Sequence, residues 1–209
     1  PIRDVAESIK EVKRAARIGA AAVMLQGMAW DKLLGDESLF PFYQVAADLN
    51  LPVCVHLGWG CPALTRIFDA TTNFYSAILP VLMGFNSIMS SAAFEKIPNL
   101  RFGFLEAGAA WIPFMIKQVR RDNVRRKQAK DPIEYFTSGR IFVSTEPDED
   151  LTGIAALVGE GSFVLGSDYP HGDPSRQEDM VAEFRERKDL SQAMVEKMLC
   201  DNPKRLYGF

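Results

Sequence analysis

The chain reads as an α/β protein built on a parallel sheet. Along its 209 residues, five short apolar runs (20–25, 52–57, 101–106, 140–145 and 162–165) alternate with segments of helical period. Alternation of that kind makes parallel βαβ units. Right-handed crossovers then bring every strand's carboxyl end to one side. Three of the runs stop in a titratable side chain: His56 in LPVCVHLGWG, Glu106 in LRFGFLEAG and Asp168 in FVLGSDYPHGD. With Glu146 after the fourth run, these groups share a rim, which is where α/β folds place their chemistry.

The elements follow in order. Asp4 to Ile18 has apolar residues at Val5, Ile9, Val12 and Ala16, a helical period with Asp4 as N-cap and Gly19 as terminator. The first strand, 20–25, precedes a helix at 39–49 and the second strand. Residues 61–73 read as a loop. The stretch 74–96 is apolar but interrupted at Pro80 and Gly84, which predicts two helices with a break there. Ile97-Pro98-Asn99 makes a turn. After the third strand a long helix covers 110–127, with Pro113 in its first turn, where a missing N–H costs little. Short helical stretches are expected at 132–136 and 149–158, flanking the fourth strand. The last strand is followed by helices at 176–188 and 191–200, the second closed by Asn202-Pro203.

Composition bounds the function. A net charge of −3 argues against nucleic-acid binding, which needs a basic surface. No apolar run approaches the roughly 20 residues of a membrane span, and no signal peptide is visible. Cys54, Cys61 and Cys200 are odd in number and form no disulfide framework, which points to a reducing, cytoplasmic setting.

Four motifs in this order, PVCVHLG, FLEAGAAWIPF, VLGSDYPHGD and the terminal DNPKRLYGF, resemble the amidohydrolase-2 family. That family includes the aminocarboxymuconate-semialdehyde and resorcylate decarboxylases along with many hydrolases. The resemblance implies a distorted (β/α)8 TIM barrel with a divalent metal at its carboxyl rim, zinc first, with manganese or iron as alternatives. By the same resemblance His56 is the metal-binding histidine ending the fifth barrel strand. Asp168 ends the eighth, as a metal ligand or the base for metal-bound water. Glu106 stands where the decarboxylases carry a catalytic histidine. The family's first strand supplies a His-x-His pair, whereas this chain has two histidines, His56 and His171, and no such pair. Counted back from Asp168, its runs correspond to strands four to eight of one barrel domain spanning 1–209, with strands one to three expected outside this sequence. A homodimer is expected by family analogy.

Each residue also has an ordinary structural reading. His56 and Cys54 alternate onto one face, so His56 is a ligand or a hydrogen-bonded core histidine, and Cys54 is small-residue packing first, or a ligand. Asp168 is a ligand or base, or the cap of a turn. Glu106 is a general acid/base or metal contact, or a carboxylate at the start of the 110–127 helix; both readings stand. His171 is a substrate or supporting group, or a surface histidine. Trp59 and Trp111 wall a pocket, or Trp111 is helix packing. Glu146 is a helix N-terminal acid. The expected activity is metal-assisted hydrolysis of an amide, ester or ring carbonyl of a small molecule, with Asp168, Glu106 and His171 as catalytic groups and His56 and Asp168 on the metal. Decarboxylation of an aromatic or unsaturated acid is the first alternative, and a non-catalytic scaffold the second.

Overall fold

The computed structural model describes residues 1–58, 77–126, 130–171 and 179–209. Trp59, the 61–73 loop, the start of the 74–96 stretch and the start of the 176–188 helix lie outside the described residues.

Helix α1 is Val5–Arg17, and Asp4 caps it by accepting the Glu7 N–H at 3.0 Å. Strand β1 is Val23–Gln26, followed by a small antiparallel pair, β2 (Met28–Ala29) and β3 (Lys32–Leu33). Then come α2 (Phe40–Asp48), β4 (Val53–His56), α3 (Leu79–Met89), α4 (Ala93–Lys96) and β5 (Phe102–Leu105). Next are α5 (Ile112–Arg126), α6 (Ile133–Thr137), β6 (Ile141–Thr145), α7 (Leu151–Val158) and β7 (Phe163–Leu165). The chain ends with α8 (Met180–Glu186), α9 (Gln192–Glu196), a π-helical turn (Lys197–Asp201) and α10 (Asn202–Tyr207).

The main sheet is parallel throughout, in the order β1-β4-β5-β6-β7. Each strand lies beside the next in chain order. A doubly wound sheet would reverse direction at a switch point; this one does not, so it forms an arc of a (β/α)8 barrel. The register sets Gln26 beside His56 and His56 beside Leu105, so the strand ends line up on one rim.

Side-chain alternation divides the core in two. Val53, Val55, Phe102, Phe104, Ile141, Val143 and Phe163 point outward into the main core beneath the helices. Phe142 and Val164 point inward and meet Leu206 of α10 in a separate small cluster, with Leu105 and Tyr207 against it. The last helix therefore covers the inner face of the arc. Cys54 is buried on the same inner-facing phase, where burial pushes its thiol up to about 12.

Three expectations need correction. The break in the 74–96 stretch falls at residues 90–92, not at Pro80 or Gly84. Pro80 occupies the first turn of α3, where its missing N–H costs nothing. Gly84 stays helical because a Cβ there would stand 2.6 Å from the Gly27 carbonyl oxygen; the glycine serves close packing. Asn202-Pro203 does not close a helix but opens α10, with Pro203 again in a first turn. The Asn202 amide donates to the carbonyls of Glu160 and Phe163, both at 2.8 Å, and so ties α10 to the entry of β7. The first strand starts at Val23 rather than residue 20, where its pairing with Val53 begins. The β2–β3 pair had no signal, because two-residue strands are too short for a period.

Phe85 of α3 pins the outer layer. It is fully buried, with ring centroids 4.9 Å from Trp111, 5.4 Å from Phe104 and 6.0 Å from Phe136. The Phe85→Ala variant should lose about 3–5 kcal/mol of unfolding free energy, the usual cost of deleting a buried aromatic ring. Urea denaturation reads this as a lower midpoint at unchanged m-value. A loss under about 1 kcal/mol would mean the ring is not a keystone contact.

Candidate metal centre

Four expected residues meet at the rim. His56 is the last residue of β4, Glu106 follows β5, and Asp168 and His171 sit in the turn after β7. Glu106 and Asp168 have left-handed backbones, with φ of 60° and 50°. Such a conformation costs a residue with a side chain on the order of 1–3 kcal/mol and persists only where the surroundings impose it. At Glu106 one of those surroundings is Ser144 on β6, whose Oγ accepts the Glu106 N–H at 2.6 Å.

One ligand-type atom from each of Glu106, Asp168 and His171 lies within 4.8 Å of the other two. His171 Nδ1 is 2.7 Å from Asp168 Oδ1 and 3.8 Å from Glu106 Oε1. His56 is not one of the three; its Nε2 touches Glu106 Oε2 instead.

The tautomer of His56 follows from its partners. Nδ1 lies 2.8 Å from the Leu57 carbonyl oxygen, which can only accept, so Nδ1 carries the hydrogen. Nε2 is left with a lone pair, available to a proton on Glu106 or to a cation. Burial first, then hydrogen bonding with the Asp168 carboxyl, raise the Glu106 pKa above its ordinary value, while the two imidazoles pull the other way.

The donor set fits a divalent cation. Glu106 Oε2 is buried and touches His56 Nε2, with no hydrogen-bond partner among the described residues. An orphaned carboxylate oxygen beside a second carboxylate and an imidazole is a set that manganese, iron or zinc accepts. A cavity of about 230 Å³ reaches the cluster, with His56, Glu106, Ser144, Asp168, Pro203 and Tyr207 among its walls. A larger one of about 610 Å³ lies by β1 and shares His56, with Met24, Gln26 and Trp30 on its wall.

Other expectations resolve simply. Trp111 packs edge-on against Phe85 and Phe104 and donates Nε1–H to the Gly108 carbonyl at 2.7 Å, so it is core packing. Trp59 lies outside the described residues. Glu146 follows β6 on the rim but is not one of the clustered three. Two contributors had no sequence signal: Ser144, a mid-strand serine, and Glu149, one of four acids between residues 146 and 150. The Glu149 carboxylate accepts N–H groups from both Ala109 and Glu146.

Comparison with known proteins gives the same picture. A family model described as "Amidohydrolase" matches residues 1–209. The 2-amino-3-carboxymuconate-6-semialdehyde decarboxylase of Dictyostelium discoideum is 26% identical over 187 residues, covering 81% of this chain and 49% of that protein. The chain therefore spans about half the length of that curated relative. Among solved structures, an amidohydrolase from Mycobacterium avium subsp. paratuberculosis K-10 superposes with a TM-score of 0.83 at 22% identity, over 96% of this chain and 54% of that one. A dihydroxybenzoic acid decarboxylase from Polaromonas sp. JS666, solved with bound manganese and the inhibitor 2-nitroresorcinol, gives 0.77 at 18% identity, over 100% and 67%. These likenesses establish the barrel architecture.

The raised Glu106 pKa has a stability consequence. A carboxyl whose folded pKa exceeds its unfolded value stabilises fully below the ordinary carboxylate range, and that contribution is lost as pH rises through the raised value. Metal-free protein held in chelator should therefore weaken across that window, and Glu106→Gln should flatten the decline. Urea midpoints at stepped pH measure it. Parallel curves for the two proteins would contradict the assignment.

Proposed function

The chain belongs to the amidohydrolase family, and on that premise we propose that it carries the rim of a metal-dependent, non-oxidative decarboxylase acting on an aromatic or unsaturated carboxylic acid. The observation that carries this reading is the contact of Glu106 with His56 Nε2, beside Asp168 and His171 at the mouth of the sheet. Decarboxylation needs a group that hands a proton to carbon as the carboxylate leaves. Hydrolysis needs a base that takes one from water. The Glu106–His56 pair lines the cavity, where it would hold a proton for the first task.

The relatives support the same order. The Dictyostelium relative is named as a decarboxylase, and so is the manganese-bound Polaromonas neighbour. Decarboxylation, the alternative from sequence, thus moves ahead of hydrolysis.

Asp168, His171 and Glu106 would hold the cation. Two carboxylates and one imidazole make a relatively hard donor set, which places manganese ahead of zinc. The cation would anchor the substrate carboxylate and an adjacent oxygen and draw electron density from them. With the cation bound, His56 Nε2, against Glu106 Oε2, would hold the proton to be donated. That proton passes to the substrate carbon, the electron pair of the breaking C–C bond receives it, and carbon dioxide departs. The His56 ring stays oriented throughout by its Nδ1–H bond to Leu57.

The full chain loaded with manganese should release carbon dioxide from a member of a panel of hydroxybenzoates and unsaturated dicarboxylates. Glu106→Gln should lower kcat by about 10²- to 10⁴-fold, the usual contribution of a general acid. Turnover of an amide or ester panel without carbon dioxide release would reverse the order in favour of hydrolysis.

A further inference from the structure

We propose that Glu149 is the positioning residue that sets where the Glu106 carboxylate lies, an inference that rests on reading the rim cluster as the reactive site. The Glu149 carboxylate gathers backbone N–H groups from two strand-end loops. Its Oε1 accepts from Ala109 at 2.6 Å and from Ala110 at 2.7 Å, both in the loop that carries Glu106. Its Oε2 accepts from Glu146 at 2.9 Å, the first residue after β6. One side chain therefore clamps the exits of β5 and β6 together, through hydrogen bonds that its charge roughly doubles in strength.

The fit between clamp and loop is close. Gly108, at φ 60°, presents its bare Cα to the carboxylate; a Cβ there would stand 2.6 Å from Glu149 Oε1. The clamp is itself anchored. Arg187 donates to the carbonyls of Pro147 and Glu149, both at 2.8 Å. Glu106 thus sits between two restraints: Ser144 on its own N–H, and Glu149 on the N–H groups three and four residues later. That pair over-determines a backbone conformation that a glutamate does not adopt unaided. A plain cap for α5 would explain the bonds to Ala109 and Ala110. It would not explain the second oxygen's hold on the neighbouring loop.

Glu149→Gln in the full chain tests this. Glutamine keeps one acceptor oxygen but turns an NH2 toward the other loop, so one arm of the clamp opens. The chain's two histidines, His56 and His171, both contact Glu106 and report its position through their imidazole NMR resonances, with no metal needed. Both signals should shift in metal-free Glu149→Gln, and manganese affinity should fall about 10- to 100-fold, as for other supporting groups of metal sites. Ser191→Ala, which removes the cap that accepts the Met194 N–H of α9, should lower the melting temperature and move neither signal. Imidazole signals that stay put in Glu149→Gln would overturn the proposal, whatever happens to its stability. A wild-type chain that binds no manganese would sink the metal reading of the cluster instead, and the imidazole signals would still decide the role of Glu149. If Glu149→Gln does not fold, Glu149→Asp, charged but one methylene short of the two loops, is judged by the same signals.

Discussion

Glu106 and Asp168 stand on one rim, close enough for a ligand-type atom of each to lie within 4.8 Å of the other. Like charges that share a partly buried site need a proton or a cation between them. The neighbouring groups answer that need: His56 against one oxygen of Glu106, and His171 between the other oxygen and Asp168. The parallel sheet is what creates the problem, since its topology delivers both acids to one rim. Left-handed turns at both acids carry the chain off the rim there. The rest of the rim restrains a carboxylate that would otherwise relax away.

The features legible in the sequence were those set by local pattern. Apolar runs of strand length ending in His56, Glu106 and Asp168 gave five strands and a common rim, because side-chain alternation and crossover handedness leave little choice. His171 was visible as the histidine three residues past Asp168, the distance at which a turn brings it back. What stayed hidden depends on tertiary contact. Nothing in STEPDED distinguishes Glu149 from its acidic neighbours; only the position of the β5 loop does. Ser144 reads as an ordinary strand residue until Glu106 is placed beside it. Pro80, Gly84 and Pro203 look like helix breakers in the sequence because their local preferences oppose helix. First-turn placement and close packing against Gly27 override those preferences.

The arc and its last helix also explain the shape of the site. Leu206 and Tyr207 pack against the inward face of β5 to β7, and Tyr207 also lines the small cavity at the rim. The larger hollow beside β1 meets it at His56. His56 is therefore the hinge point between the two hollows. The same imidazole that touches Glu106 borders the space beside the sheet's first strand.

One cation held by Glu106, Asp168 and His171 is the centre of the proposed chemistry. Manganese soaked into crystals of the full chain, located by anomalous scattering, tests that most directly. The account predicts a single strong peak bonded to atoms of those three side chains. A peak elsewhere on the chain, or an intact carboxyl–carboxylate hydrogen bond with no metal at saturating manganese, would contradict it.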